Sequence, residues 1–142
     1  MINKDMNPKG YKLTSDDLDP DKFQVGRRSF FVARDLQIAE ATNADFGMVH
    51  AKVIDRAIST GWHYHPVSLQ IIYVLKGWID LVFEDGQKIR IHAGSCMNIP
   101  PGMIHNEIGT SDDMEVLEIS SPAKITTVNV EAPVGLPAYA HA

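Results

Sequence analysis

The chain has 142 residues with a formal net charge of −5, 44% hydrophobic and 22% charged residues. This length suits one domain with its own core; the composition excludes a disordered chain, and the acidic balance excludes the basic footprint of a nucleic-acid partner. The single cysteine, Cys96, excludes an intrachain disulfide; with a start lacking an apolar signal region and no stretch near the roughly 20 apolar residues of a membrane helix, it predicts a cytoplasmic protein with no membrane partner.

Residues 1–22 are polar, include the acidic run "SDDLDPD", and read as a solvated surface arm. From residue 23 to 130 short apolar runs recur between turn signals: "SFFVARDL", "FGMVHAKVI", "LQIIYVLKG", "WIDLVF", "KIRIH", "SCMNIP", "MIHNEI", "MEVLEIS" and "ITTVNV". Most alternate in polarity and are rich in Val, Ile and aromatics, which predicts one all-β domain of about nine strands, a sandwich or small barrel. Ile38 to Asp45 fits a single helical turn. Asp85-Gly86 predicts a hairpin with a type I′ turn, both central residues at positive φ. Residues 131–142, with two prolines and small side chains, predict an extended, loosely held tail.

Chemistry concentrates in "GWHYHPVSLQIIYVLKG", Gly61 to Gly77. His63 and His65 share one face of a strand, and His105 follows the rigid turn signal Pro100-Pro101-Gly102. Two imidazoles at i and i+2 with a third from a neighbouring strand make a natural facial arrangement around a metal. Taken alone, an H-x-H pair is a weak signal, and solvent-facing or hydrogen-bonded core histidines are the better reading of it. His50, His92 and His141 have no ligand spacing.

Together these residues resemble the cupin family, small β-barrels with the motifs G-x5-H-x-H-x3,4-E-x6-G and G-x5-P-x-G-x2-H-x3-N. His63, His65, Gln70 and Gly77 fall on the first; Gly94, Pro100, Gly102 and His105 fall on the second. The resemblance implies a double-stranded β-helix, the jelly-roll barrel, with His63, His65 and His105 as metal ligands and a homodimer as the assembly. Three departures stand out: Ala57 at the opening glycine, Gly109 at the final asparagine, and Gln70 where the family's ligand glutamate stands.

A neutral three-imidazole site leaves the metal's charge uncompensated, favouring an anionic, bidentate partner such as an enolate or β-diketonate. Some small cupins with a three-histidine iron centre are dioxygenases cleaving β-dicarbonyl compounds, so the resemblance implies that chemistry, with Fe(II) favoured and Zn, Ni or Mn as alternatives. Gln70 is expected to act as a weak fourth ligand or to hydrogen-bond substrate, and Gln70→Glu to tighten metal binding. Glu107 reads as an acceptor or proton carrier, or as a strand-end residue in water. The alternatives are a Zn- or Ni-dependent hydrolase or isomerase, and a non-catalytic cupin binding a metal or small molecule.

Parity adds one constraint. Gln70 and the histidines can all face inward only if a bulge or turn near Pro66 shifts the register. Ile72 and Val74 then face the lumen, whereas Ile71, Tyr73 and Leu75 point outward and call for a second sheet or a partner subunit. Cys96 reads as a small buried hydrophobe, Met48, Met97 and Met103 as core or cavity wall, and Trp62 and Tyr64 as cavity mouth or barrel exterior.

Overall fold

The computed structural model describes residues 22–55 and 59–141. The polar arm expected over 1–22, save its last residue, and the motif position Ala57 lie outside the described residues. In chain order the elements are β1 (Gln24–Val25), β2 (Phe31–Asp35), α1 (Ile38–Ala41), β3 (Gly47–Val53), β4 (His63–Tyr64), β5 (Leu69–Lys76), β6 (Trp78–Phe83), β7 (Lys88–His92), β8 (Cys96–Asn98), β9 (His105–Thr110), β10 (Glu115–Ser121) and β11 (Val128–Asn129). They form two antiparallel sheets, one ordered β1-β2-β3-β10-β5-β8 and the other β11-β4-β9-β6-β7. This is the all-β jelly roll the sequence predicts, and α1 is the single helical turn expected there.

The register shift near Pro66 is a change of sheet. Val67 N–H donates to the His65 carbonyl at 2.9 Å, a tight turn around Pro66, so the chain leaves β4 in the five-stranded sheet and enters β5 in the six-stranded one. Along β5, Gln70, Ile72 and Val74 are buried, while Tyr73 and Leu75 are each 39% exposed. Among the described residues no second sheet covers that outer face. Gly77 returns the chain to the five-stranded sheet at φ 64°, where a Cβ would collide with Ser111 and Asp113, so only glycine fits.

Three local expectations are corrected. In the β6–β7 hairpin only Gly86 has positive φ, 84°. Gly86 N–H bonds to Phe83 O at 2.8 Å and Phe83 N–H to Gln87 O at 3.0 Å. The connection is therefore a three-residue loop closed by a left-handed glycine, not a type I′ turn. Cys96 is exposed, because its cross-strand partner is Tyr73 on the outer face. The C-terminal segment is extended but held. Trp62 Nε1 donates to Pro137 O at 2.8 Å, Val130 N–H to Trp62 O at 3.0 Å, and His141 Nε2 lies 2.8 Å from Trp62 O. The tail covers Trp62, which is 1% exposed, and His141 packs where a Cβ on Gly61 would stand.

The interior has two ends. Ile72, Val74, Ile79, Leu81, Phe83, Ile91, Ile99, Met114 and Val116 form one apolar cluster, with Met97 and Met103 packed against it. Further along β5 and β10 the inward positions turn polar: Gln70 on β5, Glu118 and Ser120 on β10, joined by His105 on β9, all buried.

Candidate metal centre

β4 and β9 are neighbours in the five-stranded sheet, and His63 stands directly opposite His105. The turn before β9 sets that register. Met103 N–H closes onto Pro100 O at 3.1 Å, with Gly102 at φ 70°. Pro101 and Gly102 thus occupy the two central positions that a type II turn favours. His65 lies just past β4, ahead of the Pro66 turn. The ring centroids are 4.5 Å apart for His63 and His105, 5.0 Å for His63 and His65, and 5.5 Å for His65 and His105. The potential ligand atoms of the three all lie within 4.8 Å of one another.

Each imidazole is oriented from behind by a main-chain carbonyl. His63 Nδ1 lies 2.8 Å from Gly61 O, His65 Nδ1 2.9 Å from Thr126 O, and His105 Nδ1 2.9 Å from Met103 O. A carbonyl can only accept, so each Nδ1 carries a proton, and in the neutral ring each Nε2 presents a lone pair. His105 Nε2 is buried with no hydrogen-bond partner. Three converging lone pairs, each ring fixed by a backbone acceptor, fit a divalent ion and match the way metal-binding histidines are oriented. Burial, opposed by nearby Glu107, pushes the His63 imidazole down to about 4, and burial lowers His65 as well. His63 is accordingly neutral and able to coordinate near neutral pH.

Glu107 does not point to water. It follows His105 by two on β9 and so shares its face, with only 13% of its side chain exposed. Its Oε2 lies 3.5 Å from His63 Nε2 and its Oε1 3.8 Å from His105 Nε2. Burial acts to raise its carboxyl, but the positive charge of the His105 and His63 rings when they are protonated, together with the Thr60 hydroxyl, prevails and holds it at about 2. Thr60 Oγ1 donates to Glu107 Oε2. Asn106, facing the other way, accepts from Ser59 at 3.0 Å, lies 3.2 Å from the Thr60 hydroxyl, and anchors that loop.

Gln70 is 1% exposed, and its Nε2 donates to Glu118 Oε2 at 3.1 Å. Glu118 Oε1 accepts from Arg27 Nη2 at 2.7 Å. Arg27 and Arg28, with Glu118, Glu107, Thr60, His63 and His65, line a cavity of about 170 Å³ between the sheets; Phe31, Ala33, Val49 and Ala51 supply its apolar wall. Gln70 is not among its lining residues.

Sequence reasoning missed Glu118, Thr60 and the two arginines. A signal existed for Glu118, since it alternates with Met114, Val116 and Ser120 on the buried face of β10. Thr60 and the arginines lie outside regular strands, where parity gives no direction.

A cupin-domain family model matches residues 50–120. No curated protein matches the chain. Solved structures give fold relatives. KdgF from Halomonas sp. is 24% identical with a TM-score of 0.59, covering 72% of this chain and 86% of that one. The polyketide cyclase RemF from Streptomyces resistomycificus is 24% identical with a TM-score of 0.63, covering 79% and 83%. Oxalate decarboxylase from Bacillus subtilis, with Mn(II) centres, is 18% identical with a TM-score of 0.54, covering 70% of this chain and 27% of that one. At these identities the likeness is one of fold. Among the described residues, no helix is long and apolar enough to cross a membrane.

Proposed function

The chain belongs to the cupin-domain family, and from that premise we propose that it is a metal-dependent enzyme that cleaves a small, enolisable β-dicarbonyl compound with O2. The observation that carries this reading is the convergence of three Nε2 lone pairs, from His63, His65 and His105, beside a cavity with two arginines in its wall. A divalent ion held by these histidines, Fe(II) favoured and Mn, Zn or Ni as alternatives, would supply Lewis acidity and, as iron, reactivity toward O2.

The chain's own residues define what enters. The cavity is small, so the substrate is small. Glu118 and Glu107 balance Arg27 and Arg28 in that wall, so preference for an anion, the form an enolisable dicarbonyl takes on losing its proton, would come from the ion that the imidazoles hold. Glu118 is held by Arg27 and Gln70, so Gln70 acts by orienting Glu118. Phe31, Ala33, Val49 and Ala51 exclude water from the far wall.

The test is metal analysis of protein purified without chelators, followed by O2 uptake on adding a β-diketone. One bound iron per chain and one O2 consumed per diketone, with both oxygens in the carboxylic acid and the 1,2-dicarbonyl products, support the reading. Anaerobic turnover of an enolisable substrate on Zn or Ni would replace it with an isomerase or hydrolase. A metal-free protein that folds and binds small acids would leave a non-catalytic binding cupin.

For the assembly we propose a homodimer that covers the outer face of β5, where Tyr73 and Leu75 are exposed. Leu75→Lys should shift the mass in solution from dimer to monomer; a wild-type protein that is already monomeric overturns the proposal.

A further inference from the structure

The ligand atoms of His63, His65 and His105 converge within 4.8 Å of one another, and the Glu107 carboxylate, which can only accept hydrogen bonds, stands against the Nε2 atoms of His63 and His105. The tautomers are set by the carbonyls behind each ring, so the 3.5 Å and 3.8 Å approaches of Glu107 to His63 and His105 are lone pair against lone pair. Such a cluster is unfavourable in a buried site unless a cation stands among its members. Donors about 2.0–2.2 Å from one ion lie roughly 3.0–3.5 Å from their neighbours. The spacing of Glu107 from two of the imidazoles is close to that.

The position that the sequence offers for a carboxylate ligand, residue 70, is engaged elsewhere. Gln70 turns its amide to Glu118, whose other oxygen is held by Arg27. Glu107 instead emerges from β9 two residues after His105, on the same face of the same strand, and Thr60 steadies one of its oxygens. Resting on the reading that the three histidines hold a metal, we propose that Glu107 is the fourth protein ligand, so that the carboxylate has moved from β5 to β9 and the centre is three histidines plus Glu107. A divalent ion held by these four residues would take one compensating charge from the protein.

The experiment is Co(II) titration of the metal-free protein, read by visible absorption and by the dissociation constant, on wild type, Glu107→Gln and Gln70→Ala. Glu107→Gln should weaken Co(II) binding by more than the roughly 10–100-fold typical of a residue that only supports a ligand, and should shift the d–d bands. Gln70→Ala should leave the bands in place. In the metal-free state Glu107→Gln should raise the melting midpoint, by about 2–4 °C, because its amide can donate to an imidazole lone pair. An ion-paired Glu107 would give the opposite shift. Unchanged bands and affinity in Glu107→Gln overturn this inference alone, while a wild type that binds no Co(II) overturns the metal reading with it. If Glu107→Gln fails to fold, Glu107→Asp decides: a ligand shortened by one carbon must shift the bands, and unchanged bands overturn the proposal.

Discussion

The two ends of the interior share β5 and β10 and obey opposite rules. At one end Ile72, Val74, Leu81 and Val116 pack side chains that ask nothing of their neighbours except contact. At the other, Gln70, Glu118, His63, His65, His105 and Glu107 are buried polar groups, each needing a partner. Along β5 only one strand repeat separates Gln70 from Ile72, and along β10 the same step separates Glu118 from Val116. The strand period sets which residues face inward but is indifferent to what they are. The apolar end stabilises the fold through about 25 cal/mol per Å² of buried apolar surface. The polar end spends part of that stability on an arrangement useful only with a cation and a ligand present.

The sharpest way to separate the ends is to remove function without removing fold. His105→Ala should eliminate stoichiometric metal, measured by elemental analysis, while leaving the far-UV circular dichroism of wild type, since the ring meets the apolar cluster only at its edge, at Phe83. Full metal occupancy in that variant would mean the centre lies elsewhere. The reciprocal change is Met114→Ala, at a fully buried position of the apolar cluster four residues before Glu118. It should cost about 2–5 kcal/mol of folding stability by denaturant titration and leave the metal dissociation constant within about threefold, because distant sites act nearly independently. A large loss of affinity would show that the ends are mechanically coupled.

A smaller effect is expected from Gln70→Glu. The sequence suggests that this change restores the family's carboxylate ligand and tightens binding. With Gln70 Nε2 donating to Glu118 at 3.1 Å, it instead places two carboxylates in contact. The expected cost is about 2–3 kcal/mol near neutral pH, shrinking on acidification as the pair takes up a shared proton. A variant as stable as wild type across that range would mean residue 70 swings away from Glu118 toward the metal.

The smallest expected effect is on pH. His63 falls from its ordinary 6.5 to about 4 in the fold, chiefly through burial. Below 6.5 the unfolded chain therefore takes up a proton that the folded one refuses, so stability of the metal-free protein falls as pH drops from 6.5 toward 4. The loss is about 2 kcal/mol by pH 5. Flat stability over that window in the metal-free protein would show that His63 is protonated in the fold.

The sequence by itself determined the strand pattern, the two-sheet architecture and the three imidazoles, because strand alternation, turn residues and motif spacing are local properties that survive without coordinates. It also required a break near Pro66, since Gln70 and His65 could not otherwise share an inward face. Tertiary structure alone decided the partners. Whether Gln70 meets a metal or Glu118, whether Glu107 meets water or the His63 imidazole, and whether the last residues hang free or pin Trp62 all depend on pairings across 44 to 79 residues of chain. Parity assigns a side chain to a face, but only the packing of two sheets assigns it a neighbour, and the charge of that neighbour determines what the site can bind.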